Sequence, residues 1–498
     1  MKLVMPNPRV FWLFFAVSTM SQIAHAQQST TPRGGAPYYA FRDAAKPAPK
    51  NPGTPVFHLS KDYPHAVPTS CPECAWLKLK VNFTPTFPIN GAPSPKTPEW
   101  HGQGWDAYLK TIVDYVRRGQ DDNLPDNVGF ITKVDGKTRW YNVPWMAYDP
   151  TAGREYVHGT TNERTAHLTD IVDNSPHTDD LLRHLDNVPS HCKTDHPYGF
   201  ESWSVGYYNE YGGQAIGRAI PSTGIPQMST YQGSPIPAGL PFPVGTVVVK
   251  ILTSSIPVEC APFLAGSPAW KIDRHKLTDK GYVCEREVQV SHVVQMDVAV
   301  VDPRSPTRWV YGTFIYDGTT PGTTFWDHMV PLGVQWGSDP WTFPAVPKEA
   351  SLPLQQSVLN PAVHTYQHWG CMNRLAGPVD NPASSCTSCH MSAYAAPNGA
   401  VTAMGSNAPS SFGFSGLCQT FSDENTSYFQ NQSAPQGYPG GRFPTAVTMD
   451  TSLQLAVAFT QFGNFNTNHR PDRCKDPNQI KPTLLETMPG KKVIEVNP

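Results

Sequence analysis

Apolar residues recur at helical spacing in "WDAYLKTIVDYVRRG", where Trp105, Tyr108, Leu109, Ile112, Val113 and Val116 form one stripe. Two arginines and Gly119 follow as a stop signal. "TDDLLRHLDN" predicts a second, shorter helix, capped by Thr178 and carrying two acids in its first turn. The period then changes to two. "WSVGYYN" (Trp203 to Asn209) and "TVVVKIL" (Thr246 to Leu252) read as strands. The clearest strand is "VQVSHVVQMDVAV", with Val288, Val290, Val294, Met296, Val298 and Val300 expected on one face. Gln289, Ser291, Gln295 and Asp297 fall on the other, and His292 shares the apolar face. "DPRSPT" turns the chain, and "RWVYGTFIY" (Arg308 to Tyr316) should return as its antiparallel partner.

Strands joined by Pro-rich loops over residues 58–340 predict a β-rich sandwich or barrel-like region. From about Ser338 the texture changes. "PWTFPAVPKEASLPL" resembles a linker, and "NPAVHTYQHWG" predicts a short helix with Asn360 as cap and Pro361 in the first position. "MDTSLQLAVAFTQF" (Met449 to Phe462) predicts another, capped by Asp450 or Thr451. The expected class is therefore α+β and multidomain, with a helical, loop-rich second domain over 345–498.

The N-terminus adds a compartment. Lys2 and Arg9 flank a short apolar run, Val10 to Met20, and "AHA" ends at Ala26 with small residues at −3 and −1. This predicts a signal peptide over 1–26, a Pro-rich lead-in over 27–57, and an exported, periplasmic-type protein. No later run is long enough to span a bilayer, so no membrane span is expected after cleavage. A net charge of −2 gives no reason to expect nucleic acid. Ten cysteines suit an oxidising compartment. Apart from Cys386 and Cys389 there are Cys71, Cys74, Cys192, Cys260, Cys284, Cys371, Cys418 and Cys474. Local pairings Cys71–Cys74 and Cys260–Cys284 are expected, although sequence does not determine connectivity.

The chemistry concentrates in "SSCTSCHMSA", where Cys386-Thr387-Ser388-Cys389-His390 has the C-x-x-C-H spacing of haem attachment. Two intervening residues let one helical turn present both thiols to the two vinyl groups of a porphyrin. The next residue then places an imidazole beneath the iron. On this motif the C-terminal part resembles the c-type cytochromes, while the β-rich part carries no such resemblance. The resemblance implies one covalent haem c on Cys386 and Cys389, His390 as proximal ligand, and a redox partner protein. For the sixth position it leaves Met449, Met404, a histidine or an open site. The usual Gly-Pro pair downstream, whose carbonyl orients the proximal imidazole, is missing. A redox disulfide or a zinc half-site would use the same cysteines, but neither a βαβ pattern nor a neighbouring ligand pair accompanies them.

Other candidates have ordinary explanations. His364 and His368 lie four apart, as metal ligands or as half-exposed residues near a helix end. His292 suits either a hydrogen-bonded core histidine or a pocket lining. Glu155 and His158 have E-x-x-H spacing but no second copy. "GGQAIG" (Gly212 to Gly217) has the wrong spacing for a dinucleotide loop. The functional expectation is electron transfer through covalent haem. The alternative is a peroxidase-like or substrate-oxidising enzyme whose β-rich region supplies the substrate site.

Overall fold

The computed structural model describes residues 40–41, 60, 62–83, 100, 104–146, 161–162, 185–194, 200–278, 281–339, 354–363, 370–371, 374–380, 384–395, 431 and 446–468. The expected signal peptide and nearly all of the lead-in lie outside these residues. So do Glu155, His158, His364, His368 and Met404, and all of the predicted 178–187 helix except its last turn.

One antiparallel sheet organises the molecule. Its strands are β3 (Thr161–Asn162), β4 (Ser202–Tyr208), β7 (Val247–Ser254), β8 (Ala269–Thr278), β9 (Gly281–Val301), β10 (Trp309–Tyr316), β11 (Met329–Gln335) and β12 (Ser357–Leu359). They run in the order β12-β11-β10-β9-β7-β4-β3, with β8 paired to the first half of β9. Two small hairpins, β1 (Lys133–Val134) with β2 (Lys137–Thr138) and β5 (Met228–Tyr231) with β6 (Ser234–Pro237), stand apart. The helices are α1 (Trp105–Val116), α2 (Ser190–Thr194), α3 (Glu210–Ala219), α4 (Cys386–Met391) and α5 (Leu453–Asn468). Among the described residues, no helix is long and apolar enough to cross a membrane.

Among the described residues, a single main sheet with a core on each face stands where a sandwich or barrel was expected. On one face α1 packs Trp105, Tyr108, Leu109 and Ile112 against Val249, Ile251, Met296, Val298 and Val310. Gly312 lets α1 approach closely, because a Cβ there would lie 2.3 Å from Leu109 Cδ2. On the other face α3 and α5 cover Ala299, Val301, Trp309 and Tyr311 with Ala215, Ile216, Leu455 and Ala456. Each face buries its own set because side chains alternate along a strand.

The strand expected to alternate without interruption contains a bulge. Leu252 pairs with Gln295 but Thr253 pairs with Val293, so Val294 has no partner in β7. The extra residue exchanges the two faces beyond it. Val288 and Val290 are consequently 37 % and 50 % exposed, while both Val293 and Val294 are buried. His292 shares their side and is half-buried, so it is not on the apolar core face where uninterrupted alternation placed it.

The described residues of 345–498 do not make a separate helical cytochrome domain. They supply β12, which extends the main sheet from β11, and the antiparallel pair β13 (Tyr394–Ala395) with β14 (Val447–Thr448). They also supply α4 and α5, and Ala393, Ala395 and Met449 join the core built on Trp309 and Tyr311. Of the expected disulfides, Cys71–Cys74 is present, whereas Cys260 pairs with Cys192 rather than with Cys284.

Candidate functional site

Helix α4 begins at Ser385, whose hydroxyl accepts the Ser388 amide as an N-cap. Gln335 on β11 fastens the same turn to the sheet. Its Oε1 accepts the Thr387 amide at 2.9 Å and its Nε2 donates to Ser385 Oγ at 3.3 Å. Upstream, Cys386 N donates to Leu375 O and Cys371 N to Ser384 O. Arg374, fully buried, anchors this strap through bonds to the carbonyls of Ser338, Cys371 and Asp339. Burial lowers its guanidinium to about 10, and burial raises Asp339, which faces it, to about 6.

Within this anchored helix, Thr387, Ser388 and Met391 are buried, while Cys386, Cys389 and His390 are half-exposed. The spacing i, i+3, i+4 puts those three on one face. Both cysteines are thiols rather than halves of a disulfide, in contrast to the closed C-x-x-C ring of Cys71 and Cys74.

His390 is held from behind. Its Nδ1 donates to the Thr451 carbonyl at 2.8 Å, which places the lone pair on Nε2. Its ring lies 4.8 Å from that of Tyr311 on β10. The Thr451 carbonyl is aimed by unusual backbone. Asp450 and Thr451 are consecutive left-handed residues, with φ of 46° and 69°. The expected cap of α5 at Asp450 or Thr451 is instead Ser452, whose Oγ accepts the Leu455 amide at 3.1 Å. Asp450 is 1 % exposed and accepts from Phe242 N at 2.6 Å and Trp309 Nε1 at 3.3 Å. Burial, opposed by Arg308 at 3.7 Å, pushes its carboxyl up to about 6.

Met449 is fully buried, and its amide donates to the Ala393 carbonyl. It thus belongs to the segment that runs along the Nδ1 side of His390. Its side chain joins the core built on Trp309 and Tyr311.

The sheet supplies a polar patch beneath Cys386. Thr313 on β10 lies 3.7 Å from the Cys386 sulfur and donates to Asp297 Oδ1 at 2.8 Å. Gln295 Nε2 touches both oxygens of Asp297 and Oδ2 of Asp380, each at 2.9 Å. Burial, and then the neighbouring Asp380 charge, raises Asp297 to about 8, against the pull of Lys250. Burial and the two carboxylates also push the Cys386 thiol up. In the sequence Gln295 and Asp297 read only as the polar face of a strand. A carboxylate between valines in a central strand was the available signal. Thr313, Asp380 and the Thr451 carbonyl had none.

The donor set fits covalent haem. Two thiols and an imidazole share the less buried face of a fixed helix, and the imidazole has its Nδ1 satisfied by a carbonyl, as a ligating histidine requires. A zinc-like grouping at His191, Cys192 and Cys260 fits no metal, because both sulfurs are consumed in a disulfide. His292 is half-buried, with Nδ1 lacking a partner and burial lowering its basicity. It is on β9 opposite Ala269 and Ser254, five residues along the chain from Asp297. Compared with known proteins, the chain matches no family model, no curated protein and no solved structure.

Proposed function

We propose that the chain carries one haem c, bonded through Cys386 and Cys389 with His390 as proximal ligand, and that it transfers electrons to or from a partner protein. The supporting observation is the shared half-exposed face of those three side chains on a helix otherwise buried, backed by the Nδ1 bond to Thr451. Bound there, the haem supplies one-electron redox chemistry. The chain's part is to orient and to insulate. Thr451 fixes the imidazole, Tyr311 packs against its ring, and the Gln335 amide and Ser385 cap keep the two sulfurs in register. In this reading Met449 remains a core residue, and the sixth ligand is sought on the Nε2 side.

The second reading, oxidation of a substrate by hydroperoxide, is favoured by one observation. Asp297 on the sheet and Asp380 on the strap before α4 stand near Cys386, so acid–base groups lie at the motif.

The test is expression of the full chain in a host that matures c-type cytochromes. The expected product is red, gives a pyridine haemochrome, and keeps a haem-sized mass increment after denaturation. The C386S/C389S double variant should lose that covalent increment. A colourless wild type that is folded would overturn the proposal. Carbon monoxide binding to the reduced protein then separates the readings. Slow or absent binding supports a six-coordinate electron carrier, and ready binding supports the second reading.

A further inference from the structure

We propose that Asp297 is a proton-releasing group coupled to electron transfer at the motif, so that one proton and one electron leave together. The inference rests on haem attachment at Cys386 and goes beyond it, by assigning a role to residues of the sheet.

The geometry joins the carboxyl to the attachment point through a single hydroxyl. Thr313 Oγ1 sits 2.8 Å from Asp297 Oδ1 and 3.7 Å from the Cys386 sulfur. A hydroxyl has one proton to give. When Asp297 is ionised, Thr313 donates to it. When Asp297 is protonated, the acid donates to Thr313, and the hydroxyl proton turns toward the sulfur. A thioether sulfur accepts a hydrogen bond only in the second arrangement. Charge on one side of Thr313 is therefore felt on the other.

The groups facing Asp297 set its balance. Lys250 on β7, paired in register with Asp297, favours the ion. Asp380, from the strap that precedes α4, disfavours it and is bridged to it by Gln295 Nε2. Cys386, the group of α4 nearest to it, becomes a neutral thioether on attachment. Burial and Asp380 together hold Asp297 as the acid up to about pH 8. Oxidation of a haem held by Cys386 and Cys389 would add one positive charge on that side of Thr313. That charge would lower the proton affinity of Asp297, which would lose its proton to water as the electron passed to the partner protein. Reduction reverses both steps.

The experiment is potentiometry of the purified haem-bearing chain, with mediator dyes, from pH 5 to pH 10. In the wild type the midpoint potential should fall with rising pH in a window around pH 8, with a slope approaching one proton per electron. D297N should abolish the slope. T313V should reduce it while leaving haem content unchanged. D380N should move the window to lower pH, because the like charge is removed, and it provides a check should D297N fold poorly. A flat wild-type potential with haem attached overturns this inference alone, as does a slope unchanged in D297N. Failure of the haemochrome test overturns the haem reading, and this inference with it.

Discussion

Asp450 offers a measurement whose sign follows from burial. Its carboxyl is almost wholly enclosed and raised from 3.8 to about 6, chiefly by desolvation. In the unfolded chain the same group ionises near its ordinary value. Between these two pH values the folded state holds more protons, so stability falls as pH rises. A shift of about 2 units corresponds to about 3 kcal/mol. That penalty is absent at pH 3.5 and fully expressed by pH 7.5. Asp450→Asn removes the titration and keeps one acceptor oxygen. Asp339 and Asp297 also titrate with raised values, so wild-type curves alone do not isolate Asp450. The difference between wild type and variant does. Urea unfolding followed by circular dichroism should show D450N gaining about 3 kcal/mol relative to wild type from pH 3.5 to pH 7.5. A difference that stays constant, or moves the other way, would refute the argument that desolvation dominates this site.

Two further substitutions test how the motif is held. Ser385→Ala removes the cap of α4 and the partner of Gln335, and should cost ~1–2 kcal/mol in urea unfolding, with lower haem incorporation per chain. Gly370→Ala would place a Cβ 2.1 Å from the Ser384 carbonyl oxygen, a main-chain atom that cannot rotate away. It should cost ~1–3 kcal/mol and shift the strap that positions Cys386, read as a lower melting temperature and a lower haem yield.

What the sequence disclosed was local. The α1 stripe appears almost as read, with Trp105, Tyr108, Leu109, Ile112 and Val116 buried. The β9–β10 hairpin forms in the expected antiparallel sense, with Trp309 opposite Val301. Cys71–Cys74, three residues apart, was within reach of spacing alone. The failures were of longer range or finer grain. One unpartnered residue, Val294, reversed the faces on which Val288, Val290 and His292 were placed, and no local property distinguishes it from Val293. Cys192–Cys260 spans 68 residues and depends on the sheet that brings β7 and the α2 region together. At the motif, the residue types of C-x-x-C-H were plain. The groups that surround it come from β9, β10, β11 and the start of α5, and only the tertiary fold assembles them.

The two faces of the sheet differ in a way that bears on function. Beneath α1 the packing is apolar, with Leu109, Val298 and Val310 in one buried cluster. Around α4 the fold accepts unfavourable local choices. Asp450 and Thr451 are both left-handed, Asp450 is buried, and Asp297 and Asp380 share one amide. Each of these costs stability that a hydrophobic alternative would not. They converge on a single helix turn: Thr451 on His390, Asp297 through Thr313 on Cys386, and Asp450 on the turn that aims Thr451. Costs gathered at one place, next to the only C-x-x-C-H in the chain, are expected of a site whose geometry serves chemistry rather than folding. If that is their reason, D450N should gain stability relative to wild type from pH 3.5 to pH 7.5 and yet hold His390 less well. The readout is a broadened or shifted haem spectrum in a chain whose relative stability has risen with pH, a combination that a purely structural role for Asp450 would not produce.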